Sequence, residues 1–228
     1  MMLRTFFDEA SSTLTYLLED EETKEAVIID PVKPQVNHYL QIIQELGLTL
    51  KYAFDTHTHA DHITALGILR ERLGCESLVG EQSQAACASI WMKDQEVYTF
   101  GQYSLEVIYT PGHTDDSYSF LVGDKLFTGD TLLIRGCGRT DFQNGSANAL
   151  YESLWNKLLV MNESIRVYPG HDYKGWFVST LGEEKHHNPR LQFKTAATFK
   201  DFMDNLKLPN PKMMDVAVSA NQQCGEEF

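Results

Sequence analysis

The chain has 228 residues, 43% hydrophobic and 22% charged, with a formal net charge of −13. That composition is globular, and the length allows a large buried core. The acidic balance argues against a nucleic-acid or anionic-membrane partner, since both need a cationic surface, but leaves room for a small anionic substrate met by a local arginine cluster. Cys75, Cys87, Cys137 and Cys224 lie far apart with no CxxC pair. This predicts neither a disulfide framework nor a zinc ribbon, and suits a reduced, intracellular compartment. No stretch approaches the ~20 apolar residues of a membrane span, and no signal-peptide pattern opens the chain.

Residues 14–19 and 26–30 read as strands joined by the polar turn 20–24, and Asp30-Pro31 ends the second. Val36, Tyr39, Leu40, Ile43 and Leu46 have helical spacing, stopped by Gly47. Leu50 to Phe54 is a short strand. Ile63, Leu66, Leu69 and Leu73 predict a helix over 62–73, closed by Gly74. Ser77 to Val79 reads as a strand and 82–91 as a helix. Strands follow at 96–100, 103–109, 118–122 and 126–128. Residues 131–145 form a long loop. A helix spans 147–160, a strand 165–168, and helices 177–186 and 194–206; the tail from Pro209 is irregular. Helices alternate with strands from end to end, so one α/β domain over 1–228 is expected, with a mixed sheet or two sheets.

The densest chemistry lies in Thr56-His57-Thr58-His59-Ala60-Asp61-His62, between a strand and a helix. Imidazole and carboxylate bind Zn, Fe, Mn or Ni at neutral pH. Three downstream segments also place a polar ligand after a strand and a turn-forming glycine: Pro111-Gly112-His113, Gly129-Asp130 and Pro169-Gly170-His171. The candidate ligands are therefore His57, His59, Asp61, His62, His113, Asp130 and His171. Seven are too many for one four-coordinate ion, and suit two metals sharing a carboxylate or one metal with supporting partners. A single Pro-Gly-His or Gly-Asp is ordinarily a turn; it is the dense loop and its strand-end partners together that point to metal. His38, His186 and His187 read as surface residues.

Together, His57-x-His59-x-Asp61-His62, Pro111-Gly112-His113-Thr114, Gly129-Asp130-Thr131 and Pro169-Gly170-His171 resemble the metallo-β-lactamase superfamily. The resemblance spans 57–171 and implies an αβ/βα sandwich of two mixed sheets flanked by helices, with the metal site at one edge between them. Residues 131–146, Ser11-Ser12-Thr13-x-Thr15-Tyr16, His171-Asp172-Tyr173-x-Gly175 and Asn188-Pro189-Arg190-Leu191 resemble, more closely, the persulfide dioxygenase (sulfur dioxygenase) family. This closer resemblance covers nearly the whole chain. Glyoxalase II-type thioesterases share the metal motifs, but normally carry a longer helical carboxy-terminal region. One departure is Ala65, where the family more often has Gly.

The resemblance implies one Fe(II), or Zn as purified, on His59, His113 and Asp130, a facial triad with open positions. His57, Asp61, His62 and His171 then take supporting or second-metal roles. The implied reaction oxidises glutathione persulfide with O2 and water to sulfite and glutathione. Arg139, Tyr173 and Arg190 are expected to clamp the glutathione moiety, since Arg holds carboxylates bidentately; for Arg139 the structural alternative is an ion pair with Asp141 or Asp172. Cys137 reads as a packing residue. Two other readings stay open: a di-metal hydroxyacylglutathione hydrolase of the glyoxalase II type, and a metal-holding sensor or partner-binding module. A homodimer is compatible with the chain. A bacterial cytoplasmic location is favoured because the chain starts almost at its first strand; the mitochondrial matrix is the alternative if a leader has been removed.

Overall fold

A computed structural model of the chain describes residues 1–210 and 213–225. Its first sheet is built from β1 (Met2–Asp8), β2 (Thr13–Glu19), β3 (Glu25–Ile29), β4 (Thr49–Phe54), β5 (Glu76–Gly80) and β6 (Ile90–Met92), in that spatial order. β1, β2 and β3 are antiparallel, while β3 to β6 are parallel. The second sheet contains β7 (Val97–Phe100), β8 (Tyr103–Tyr109), β9 (Tyr118–Val122), β10 (Lys125–Gly129), β11 (Arg166–Pro169) and β12 (Ser179–Thr180). It too is mixed, because β10 and β11 run parallel between antiparallel neighbours.

Strand alternation explains the layering. On β2, Leu14, Tyr16 and Leu18 point into the core shared with Phe120 and Phe127 of the other sheet. Leu17, between them, faces the opposite way. There it packs under α1 (Val36–Glu45) and α2 (Leu66–Leu73), against Tyr39, Ile43 and Leu69. The outer face of the second sheet presents Ile108, Leu126 and Val167 to α3 (Ala147–Glu152), α4 (Leu181–His187) and α5 (Ala196–Asp204). Each sheet is thus covered on both faces, giving the expected helix–sheet–sheet–helix sandwich.

Several local expectations are corrected. β1 lacks a clean apolar alternation in the sequence; it is an edge strand carried by its pairing with β2. Residues 82–91 are not helical. Ile90–Met92 pairs with β5, and Ser77 and Ser89 exchange hydrogen bonds that fix the approach. The helix predicted from 62 begins at Leu66, because the Thr64 hydroxyl takes the Leu66 N–H and the Asn221 side chain takes the Thr64 N–H. In the 147–160 helix, the second half widens into a π-helical turn over Ser153–Leu158, closed by Leu159 N–H on the Leu154 carbonyl (2.8 Å). The 177–186 segment splits into β12 and α4. The tail from Pro209 lies partly outside the described residues, but it holds a helix, α6 (Met214–Asn221). The reading of a fully reduced chain is also corrected: Cys87 and Cys224 form a disulfide across 137 residues, while Cys75 and Cys137 are free. That separation is what hid the pair.

Candidate metal centre

All seven expected ligands follow the carboxyl ends of strands at one edge of the sandwich. His57 to His62 follow β4, His113 follows β8, Asp130 follows β10 and His171 follows β11. The sheets meet at this edge, where the Leu14 N–H donates to the Gly170 carbonyl (2.8 Å) and the Tyr16 hydroxyl to the Pro169 carbonyl (2.7 Å). Loops on so rigid a frame hold ligands well.

The imidazoles share a pattern of hydrogen bonding. The His57 Nδ1–H donates to Thr56 Oγ1 (3.1 Å), whose own hydrogen goes to Asp30 Oδ2 (2.9 Å). The His113 Nδ1–H donates to the Arg139 carbonyl (2.8 Å), and the His171 Nδ1–H to the Ser12 carbonyl (3.2 Å). The His59 Nε2–H donates to Asp30 Oδ1 (3.1 Å), and the His62 Nδ1–H to Asp61 Oδ2 (3.1 Å). In each ring one nitrogen is committed to an acceptor, which directs the other into the cluster. Metal-binding histidines are oriented in this way.

The remaining atoms cluster. His57, His113 and Asp130 each bring one ligand atom, all within 4.8 Å of one another; His59, Asp61 and His62 form a second such group. His171 Nε2 joins the halves, at 3.5 Å from Asp130 Oδ1 and 3.6 Å from Asp61 Oδ2. His59 Nδ1, His62 Nε2 and Asp130 Oδ1 are buried without a hydrogen-bond partner. Orphaned buried polar atoms are costly, and three of them in one cluster fit a cation.

This grouping differs from the set implied by resemblance. His113 and Asp130 are joined by His57, not His59. The cause is Asp30, which takes the Nε2 of His59 and leaves its Nδ1 on the Asp61 side, 4.0 Å from Asp61 Oδ1.

The electrostatics suit metal binding. Burial, reinforced by neighbouring imidazoles, holds His57 and His59 well below the ordinary histidine value, so both are neutral. Burial pushes the Asp130 and Asp61 carboxyls up, but His171 with its neighbouring histidines outweighs it and holds both low. His171 is raised to about 9: burial opposes its charge, and Asp130 and Asp61 overcome that.

Among the expected substrate residues, Tyr173 is exposed and stacks on the His171 ring, with centroids 5.8 Å apart. The Arg190 guanidinium lies 4.4 Å over the Phe202 ring. Arg139 is engaged: it forks onto Asp141 (2.6 and 2.8 Å), donates to the Pro209 carbonyl (2.7 Å) and covers Phe142. That is the ion-pair alternative. Burial lifts the Cys137 thiol to about 12, so it stays protonated and packs.

Sequence reasoning missed several supporting groups. Asp30, a strand end by its sequence, accepts from the Thr56 N–H and hydroxyl as well as from His59. Asp116 ties the loops of His57 and His113 together, accepting from the Thr58 N–H (3.0 Å) and the Thr114 hydroxyl (2.6 Å). An Asp before a Pro at a strand end, and an Asp closely following His113, were the available signals. Asn221 had no local signal.

A family model described as the metallo-beta-lactamase superfamily matches residues 9–171, and the chain belongs to that superfamily. Human ETHE1, named a mitochondrial persulfide dioxygenase, is 47% identical over 228 residues, covering 99% of this chain and 89% of that protein. The crystal structure of ETHE1 from Myxococcus xanthus superposes with a TM-score of 0.96 at 52% identity, covering 99% of this chain and all of that one. Within the superfamily, the chain therefore belongs to the persulfide dioxygenase family. The hydroxyacylglutathione hydrolase GloC of Haemophilus influenzae is more distant, 33% identical over 202 residues, or 78% of this chain and 92% of that protein.

Proposed function

We propose that the chain is an iron-dependent persulfide dioxygenase that converts glutathione persulfide, O2 and water to glutathione and sulfite. The carrying observation is the group His57, His113 and Asp130, two imidazoles and one carboxylate with ligand atoms within 4.8 Å, each imidazole oriented through its other nitrogen. Ferrous iron on such a face supplies one-electron chemistry with O2 and a position for an anionic sulfur. The site is built from the chain's own orienting groups. Thr56 and the Arg139 carbonyl fix the ring planes of His57 and His113. Asp130 brings the negative charge, and its partly compensated position beside His171 keeps it ionised.

In this reading the other half is a supporting network around one iron. His171 Nε2 lies between Asp130 (3.5 Å) and Asp61 (3.6 Å), and Asp61 accepts from His62 Nδ1 and the Thr13 hydroxyl (3.1 Å each). A second cation on Asp61 would have to compete with these contacts. Tyr173, exposed and stacked on His171, and Arg190, over Phe202, are the residues assigned here to the glutathione moiety. Arg139 is assigned instead to shaping the loop that presents its carbonyl to His113. No helix among the described residues is long and apolar enough to cross a membrane.

The intact Asp61, His62 and His171 set keeps the di-metal hydroxyacylglutathione hydrolase as the competing reading. The test is sulfite release by iron-loaded chain from glutathione persulfide, in air and without O2, beside a thioester assay with an acylglutathione. We expect O2-dependent sulfite and little thioester cleavage. Efficient O2-independent thioester cleavage without sulfite would overturn the proposal.

A further inference from the structure

We propose that Asn221 is a positioning residue for the metal loop, and that the Cys87–Cys224 disulfide anchors it there; this rests on the reading of the cluster as a metal site, not on its reaction. Asn221 is 5% exposed. Its Nδ2 donates to the carbonyls of both His59 and His62 (2.9 Å each), and its Oδ1 accepts from the Thr64 N–H (2.9 Å). One side chain from α6 thus spans residues 59–64, a stretch that is neither helix nor strand. The rings of His59 and His62 are already tied to Asp30 and Asp61 through one nitrogen each. Their other nitrogens, His59 Nδ1 and His62 Nε2, are the orphans of the cluster. What remains to be fixed is the backbone that carries them, and Asn221 fixes it.

The segment after Asn221 is docked too closely to be incidental. The Cys224 carbonyl accepts from the Gly67 N–H (3.0 Å), and the Gly225 carbonyl from Lys33 Nζ (2.7 Å). Gly225, at φ +82°, lies so near Thr64 that a Cβ there would sit 2.0 Å from its carbonyl oxygen. Cys224 is fully buried, whereas Cys87 is partly exposed. The superfamily match ends at residue 171, so the clamp is supplied by the chain beyond it. Opening the disulfide takes two thiols, which become one disulfide and pass two electrons and two protons to Cys87 and Cys224. A thiolate reaches Cys87 Sγ first and displaces the Cys224 sulfur, releasing the anchor three residues from Asn221.

The test is cobalt(II) titration of the metal-free chain, with affinity read by chelator competition and ligand geometry by the visible d–d bands. Asn221→Asp keeps size and the acceptor for Thr64, but turns the two donors into an oxygen facing two carbonyls. It should weaken cobalt binding about 10- to 100-fold and shift the bands, as loss of an orienting partner does. Wild-type chain reduced with a phosphine, which takes an oxygen from water as it gives up two electrons, should shift the same way. So should Cys224→Ser, and reduction should add nothing in the Asn221→Asp background. If Asn221→Asp does not fold, reduction of the wild-type chain still decides. Unchanged affinity and bands alongside a lowered melting temperature would make the segment a brace of the fold and overturn the proposal. A wild-type chain that takes up no cobalt would sink the clamp together with the metal reading. Absence of persulfide oxidation with cobalt results as expected would count against the proposed reaction alone.

Discussion

His57 and His59 are separated by one residue, yet their lone pairs serve different neighbours. Thr56 orients the first toward His113 and Asp130, and Asp30 turns the second toward Asp61 and His62. His57→Ala should therefore abolish iron binding, whereas His59→Ala should keep the iron with affinity lowered about 10- to 100-fold; iron content after desalting distinguishes them. This division was not legible in the sequence. The spacing shows that both rings lie in one loop, but the choice of nitrogen depends on Asp30, from a different strand. His171 offers a second check. In the metal-free chain Asp130 and Asp61 raise it to about 9, above the ordinary 6.5 it has when unfolded. Its proton stabilises the fold fully below pH 6.5, and that contribution is lost as pH rises through 9. The shift is worth on the order of 3 kcal/mol. Melting of the metal-free chain should fall across that window, and His171→Gln should flatten the fall; a profile unchanged by the substitution would place the proton elsewhere.

Among the elements, the turns that deliver ligands are as constrained as the strands before them. Gly112, at φ +143°, lets the chain pass beneath the start of α3, where an added Cβ would come within 2.3 Å of Leu150 Cα and N. Gly112→Ala should cost about 1–3 kcal/mol in stability. It should also weaken metal binding through the neighbouring His113, as melting and metal titration would show; wild-type behaviour in both would mean the turn has slack. Strands with clean apolar alternation, such as β8, were legible because period-two burial writes itself into the sequence. The 82–91 segment was not. Its alanines favour a helix, but strand pairing with β5 and the Ser77–Ser89 bonds win. The start of α2 was misplaced for the same kind of reason, since the bonds that delay it come from Thr64 and from Asn221, far along the chain.

For the whole molecule, the order of strand-end ligands pointed to one α/β domain with candidate ligands on its loops, and it was the resemblance to the metallo-β-lactamase superfamily that implied a two-sheet sandwich with the site at its edge. Strand-end placement is a property of topology, and the turn residues mark it. What the sequence hid is the return of the carboxy-terminal segment to the metal loop through Asn221 and the Cys87–Cys224 bond. Contacts across some 160 residues leave no periodic trace. We propose one iron on His57, His113 and Asp130, used for O2-dependent persulfide oxidation. It is tested most directly by titrating the metal-free chain with Fe(II) under argon and then recording O2 uptake with glutathione persulfide. The rate should rise linearly and break at one iron per chain, with one sulfite formed per O2 consumed. A break at two irons per chain, or iron-loaded chain that consumes no O2, would contradict it.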